Sequence, residues 1–160
     1  MVLRANGTRS TGEPGVGGRY TAAALIERAI AKVPTLTYFG VGIYKRPASE
    51  AAASEAIAAG QAKLRAAVHE VEQCVAWLSG VRAVRTIQRF PSSYTFKHSV
   101  EGWLRRQGRP AYIANGAFVA AAVGTGRYPF AIQEPNVCFG FSSKDLRRAR
   151  QRSAAAAATV

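Results

Sequence analysis

Aspartate occurs once in these 160 residues, at Asp145, histidine twice, at His69 and His98, and cysteine twice, at Cys74 and Cys138. Each shortage removes a class of function. Metal-assisted hydrolysis needs several carboxylates or histidines converging on one point, and neither histidine has a ligating partner four residues on. Two widely separated cysteines make neither a disulfide framework nor a Cys-x-x-Cys zinc site, and fit reduced thiols in a cytoplasm. Cys74 falls at an apolar helix position and reads as a small core residue. No apolar run reaches the length of about eighteen residues that marks a membrane span. The opening MVLRANGTRSTGEPGVGG lacks the apolar region of a secretory signal. Its GVGG follows no strand, as a dinucleotide site would require, so residues 1–19 read as a flexible basic arm. No Walker loop, Gly-x-Ser-x-Gly elbow or His-Glu-x-x-His occurs. No cofactor and no catalytic residue is expected.

What the chain does have is positive charge. Twenty-two Lys and Arg face nine acids, for a formal net of +13 and a pI near 10.7. Only Lys32, Lys45, Lys63, Lys97 and Lys144 are lysine, and arginine is the better bidentate phosphate ligand. Richness in Ala, Gly, Val and Arg also matches what a GC-rich genome encodes, so the excess alone does not name a polyanion. Its distribution is more telling. Arg82, Arg85, Arg89, Lys97, Arg105, Arg106 and Arg109 stand against only Glu101 over 82–110, a net of +6. Lys144, Arg147, Arg148, Arg150 and Arg152 stand against Asp145 over 144–152, a net of +4. The segment 49–79 carries four glutamates against Lys63 and Arg65.

The patterning predicts an α+β fold, one compact domain over 20–152 with four or five helices and a small sheet of short strands. Thr21 can cap a first helix whose inner side is Leu25, Ile26, Ala29, Ile30 and Val33, and Pro34 ends it. TLTYFGVGIYK, 35–45, reads as a strand, with Gly40 and Gly42 marking close approach of another element. A long helix is expected over 49–79, capped by Ser49 and ended by Ser79-Gly80. Its Ile57, Gln61, Leu64, Val68, Val71, Val75 and Leu78 follow a heptad-like spacing. That serves either a core-crossing helix or a homodimer through 49–79. VRAVRTIQRF, 81–90, is a candidate edge strand without clean alternation. Short strands around Glu134-Pro135-Asn136 suit a hairpin. Ser142 and Asp145 form a capping-box-like pair at the start of a last helix, and the alanine-rich tail 153–160 is expected to fray.

The stretch PSSYTFKHSVEGWLRRQG, 91–108, carries the candidate chemistry. As a helix capped by Ser92 or Ser93 and closed by Gly108, it places Phe96, Val100, Trp103 and Leu104 on one arc. Tyr94, Lys97, His98, Glu101 and Arg105 lie on the opposite, outer stripe. Tyr94, His98 and Glu101 can meet on a helix, as a hydrogen-bonded network, a polyanion contact or a proton-transfer group. The next segment, AYIANGAFVAAAVGTG, is helical from an Asn115 cap. It is too apolar to be the reading helix of a helix-turn-helix, and its alanines suit close packing in the interior.

SSYTFKHSVE, YIANGAFVAAA and PNVCF together resemble a pattern in small uncharacterised proteins of bacterial plasmids, prophages and integrative elements, roughly SSYxxKHxxE, YIxNGxxIxAAxxxGF and PNxxFN. The similarity spans about residues 91–146, with Gly140 replacing the final Asn of that pattern. It implies a mobile-element accessory protein of the bacterial cytoplasm, and carries over no functional residue. The resulting expectation is a non-enzymatic protein that binds DNA or RNA largely independently of sequence. The expected contacts are Arg82, Arg85, Arg89, Tyr94, Lys97, His98, Arg105, Arg106, Arg109, Lys144, Arg147, Arg148 and Arg152. The alternative is an inhibitor of a host defence complex, anti-CRISPR-like, whose basic face meets an acidic or nucleoprotein partner.

Overall fold

The computed structural model describes residues 20–155, with side chains through 151. The arm expected at 1–19, the end of the tail at 156–160 and the side chain of Arg152 lie outside the described residues.

The ten residues of Asn115–Gly124 organise the rest. This helix, α5, is apolar on every side and buried along its whole length, so other elements must surround it. Helix α1 (Ala22–Lys32) packs along it. The approach is possible because Gly124 lacks a Cβ, which would lie 2.3 Å from the Leu25 carbonyl oxygen. Helices α3 (Val68–Leu78) and α4 (Ser93–Arg106) cover two further sides. Two antiparallel hairpins close the structure, β1–β2 (Leu36–Thr37, Gly40–Val41) and β3–β4 (Phe130–Gln133, Asn136–Phe139). Helix α2 (Glu50–Ala66) lies outside, against β1, and α6 (Ser143–Ala155) lies against α4. The centre is aromatic: Phe118 of α5 meets Trp77, Phe96, Phe139 and Phe141. The Tyr128 hydroxyl reaches the Val81 carbonyl at 2.8 Å. The architecture is α+β as expected, with six helices among the described residues and two two-stranded sheets.

Local signals hold where they set an end. Thr21 Oγ1 accepts the Ala24 N–H, Ser49 Oγ accepts the Ala52 N–H, and the β3–β4 turn is Glu134-Pro135. Gly108 takes a φ of +65° after α4, where the Arg109 N–H returns to Leu104 O. Cys74 is buried in the core; burial pushes its thiol up, and the Glu70 and Glu101 carboxylates add to that.

Four expectations change. The strand over 35–45 is a tight hairpin, because Gly40 turns at a φ of +132° directly against the Pro135 carbonyl and Asn115. The helix over 49–79 breaks at Ala67, whose N–H bonds Leu64 O, three residues back. Leu64, Val71 and Leu78 of its heptad-like seam are buried in this chain's own core, so no continuous seam faces outward. Residues 81–90 form no strand; a single bridge, Ala83 to Phe141, and two further backbone bonds tie them to 139–141. The caps expected at Ser92 or Ser93 and at Asn115 are not made. Ser93 Oγ instead accepts the Val137 N–H, and Asn115 Nδ2 donates to Pro135 O and Asn136 Oδ1. Both side chains are drawn from capping to holding β4 and its turn.

Candidate functional site

Helix α4 has the inner arc its spacing predicts: Phe96, Val100 and Leu104 are buried, and Trp103 is half-buried against the core. The outer stripe requires a correction. Tyr94, His98 and Arg105 are exposed, but Lys97 is only 8% exposed and Glu101 only 5%. The cause is the segment that follows α4. It doubles back over the stripe, and its Ile113 N–H donates to Glu101 Oε1 at 3.1 Å.

Glu101 is the hub of this face. It accepts from Lys97 Nζ at 3.1 Å and from His98 Nδ1 at 2.7 Å, with Arg105 Nη2 at 3.5 Å. Burial by itself raises a carboxyl pKa. Here the Ile113 N–H, His98 and Lys97 outweigh it, and the Glu101 carboxyl sits below its ordinary value. Donation through Nδ1 fixes the orientation of the His98 ring. Its edge meets the Tyr94 ring, with centroids 4.8 Å apart. The trio expected from the sequence does meet, through hydrogen bonding and ring contact.

A second carboxylate, Glu70 of α3, has the matching role. Glu70 accepts the Ala114 N–H at 2.7 Å and the Tyr38 hydroxyl at 2.9 Å. Burial and the Glu70 carboxylate both push the Tyr38 phenol well above its usual range, with the neighbouring Tyr112 adding to the shift. Two carboxylates on two helices thus hold two consecutive amides just ahead of α5, where the helix dipole favours negative charge. Sequence reading missed Glu70, Tyr38, Phe39, Lys63 and Tyr112. The one available signal was the exposed-type aromatics in TLTYFG and AYIANG, flanking segments that turn out to touch.

Ring contacts and cations link these residues. Lys63 Nζ stands 4.7 Å from the Tyr38 ring centroid and 4.9 Å from that of Phe39. Lys97 Nζ stands 5.3 Å from the Tyr94 centroid and 5.6 Å from that of Tyr112. SSYTFKHSVE, YIANG and PNVCF therefore converge, through Glu101 to Ile113, Asn115 to Asn136 and Ser93 to Val137.

The two arginine-rich segments also come together. Residues 82–90 run beside 139–142, through Val84 N to Gly140 O, Gln88 N to Phe139 O and Ser142 N to Arg82 O. Asp145 of α6 accepts the Arg82 backbone N–H at 3.0 Å and its guanidinium Nε at 2.8 Å and Nη2 at 3.2 Å. Those bonds, the guanidinium's foremost, hold the Asp145 carboxyl well below its usual range. Arg82 is thus an anchor for α6, with its side chain still 70% exposed. Arg148 comes within 3.9 Å of the same carboxylate. Arg85, Arg89, Lys144 and Arg147 are exposed and have no carboxylate partner among the described residues. Among the described residues, the Arg109 side chain, in the turn after α4, reaches only the Gln107 side chain. Arg106 and Arg150 line a groove of about 190 Å³ between α4 and α6, together with His98, Ser99 and Trp77.

Replacing Asp145 with Ala is expected to release the start of α6 from residue 82. Hydrogen exchange of the amides over 144–150 should accelerate and the melting temperature should fall. Unchanged exchange would mean that α6 docks through Leu146 and Ala149 alone. The wild-type contribution is present above the ordinary aspartate value of 3.8 and fades below it, since the folded-state value is depressed.

Among the described residues no group of three His, Cys, Asp or Glu could hold a metal ion, and no helix is long and apolar enough to cross a membrane. No protein-family model, curated protein or solved structure matches the chain.

Proposed function

We propose that the protein binds nucleic acid through phosphate contacts made by 82–90, the end of α4 and α6, with no base-reading helix. One observation carries this reading. Both acids within the two basic segments, Glu101 and Asp145, are buried and already held by partners. The exposed charge of that face is therefore of one sign, whereas exposed acids such as Glu50, Glu55 and Glu72 lie on α2 and α3. Such an uneven field concentrates polyanions at one side. Helix α5, the second helix of the apparent helix-loop-helix, is buried throughout and presents no side chain to a groove. Binding is then governed by counterion release and is tolerant of sequence.

Affinity for a duplex of mixed sequence should fall about 10³-fold between about 50 and 200 mM salt if six phosphates are neutralised. Replacing Arg85, Arg89 and Arg147 with Ala leaves no buried carboxylate unpaired. Each replacement should reduce the slope of log K against log salt by about one unit. Anisotropy titrations at several salt concentrations measure both. No binding to any nucleic acid at the lowest salt would overturn the reading. So would a protein partner, retained from bacterial lysate after nuclease treatment, whose capture the same three substitutions abolish.

A further inference from the structure

Resting on that reading, we infer that the preferred ligand is a single strand, whose bases stack on an aromatic belt that continues the arginine face. The belt is a chain of neighbours in space, not a motif in sequence. Phe39 meets Tyr38 edge-on with centroids 5.4 Å apart, under Lys63. The Tyr38 hydroxyl lies beside Tyr112. Tyr112 and Tyr94 flank the single cation of Lys97, and Tyr94 meets His98. His98 is also a wall of the α4–α6 groove that holds Arg106 and Arg150. The path therefore runs from the hairpin, across the start of α4, into the basic groove.

Three physical features point to unpaired bases. The outer rings are open to solvent: Phe39 is 50% exposed, Tyr94 49% and Tyr112 65%, whereas Tyr38, 8% exposed, is the buried link between Phe39 and Tyr112. Large apolar rings clustered at the surface mark an interaction site, unlike rings scattered singly. A duplex keeps its base faces stacked inside and offers only phosphates and groove edges, which these rings cannot use. An unpaired base offers a π-face of any identity, so stacking adds affinity without sequence readout. The rings are also held in place. Tyr38 is hydrogen-bonded to Glu70, and Lys97, which stands between Tyr94 and Tyr112, is fixed by Glu101. Glu101 and Glu70 thereby act as positioning residues for the belt, and their own charges face inward to the amides of Ile113 and Ala114.

The test compares a labelled oligothymidine of about twenty nucleotides, long enough to exceed the usual span of one binding module, with a hairpin duplex of equal phosphate count. The intact chain should prefer the single strand. Tyr112→Ala should weaken single-strand binding by about 5- to 100-fold and leave duplex binding within about twofold. Phe39→Ala should act in the same direction, and Tyr112→Phe should bind as the parent does, since it keeps the ring. The Arg85, Arg89 and Arg147 substitutions should weaken both ligands alike. Equal binding of the two ligands by the parent, or single-strand binding untouched by both Tyr112→Ala and Phe39→Ala, would overturn the belt while leaving the arginine face standing. Absence of binding to either ligand at low salt would overturn the arginine face, and the belt with it.

Discussion

Glu101→Ala should lower stability by about 3 kcal/mol, a drop of about 10 °C in melting temperature for a chain of this size. The reason is what it strands. Lys97 is buried beside it, with Nζ at 3.1 Å, and the Ile113 N–H has no other acceptor among the described residues. Breaking a buried pair by removing one partner leaves an uncompensated charge, and an orphaned amide adds to the loss. The figure is held to the low end because Arg105 and His98 lie at the rim, where water screens them. Glu101→Gln keeps an acceptor for Ile113 and should lose less. Removing both charges, with Glu101→Gln and Lys97→Met together, should recover most of the loss, because no buried ion remains. Denaturant unfolding of the parent, Glu101→Gln, Lys97→Met and the double variant closes the cycle. A change in Glu101→Ala no larger than that of a surface substitution would show that the carboxylate does not hold the 109–114 segment down.

The same carboxylate gives an acid limb to stability. Its folded-state pKa lies below the ordinary 4.5. The pair therefore stabilises fully above that value, and the contribution fades as pH falls through the lower, folded-state pKa. Glu101→Gln should flatten the stability profile below about pH 4.5, leaving the corresponding limbs from Asp145 and from the solvent-screened Glu27–Arg65 pair.

Two glycine-to-alanine changes in neighbouring helices should have opposite signs, and the first is the second large effect. A Cβ on Gly116 would lie 1.8 Å from the Thr37 carbonyl oxygen and 2.7 Å from Tyr38 C and O. All three are backbone atoms, so no rotamer change relieves the clash. The β1–β2 hairpin would have to leave α5 and break the Gly116 N to Tyr38 O bond. The expected cost is about 3 kcal/mol or more, exceeding the gain of about 1 kcal/mol that alanine brings to a helix. In α4, a Cβ on Gly102 meets only the Arg106 guanidinium, at 3.5 Å and beyond. That tip can move, so Gly102→Ala should stabilise by about 0.5–1 kcal/mol. Thermal melts of both variants decide it, and a stabilised Gly116→Ala would mean that the hairpin does not sit against α5. Because that hairpin carries Tyr38 and Phe39, Gly116→Ala should also weaken single-strand binding.

How much of this was legible beforehand depends on the range of the interaction. Thr21, Ser49, Gly108 and the Glu134-Pro135 turn act on amides a few residues away, and each ends an element where its chemistry predicts. The inner arc of α4 and the apolar, buried α5 follow from helical periodicity alone. The break at Ala67 was not legible, since no proline or glycine marks it and the apolar spacing runs on across it. Residues 81–90 could not be read as an irregular segment, because what pairs with them is 139–142.

The candidate site divides in the same way. Composition alone determined the positive charge and a shortage of metal ligands, and the order of residues determined that the charge is uneven. The spacing along 94–101 alone determined that Tyr94, His98 and Glu101 would meet. Only the tertiary structure decided that Lys97 and Glu101 are interior, because a helical wheel gives the angle of a side chain and not what covers it. Only it decided that Asp145 neutralises Arg82, that the two arginine segments adjoin, and that Phe39, Tyr38, Tyr112 and Tyr94 form one belt. Those facts rest on contacts between residues far apart in the chain, whose energies are set by packing around α5 rather than by neighbours along the backbone.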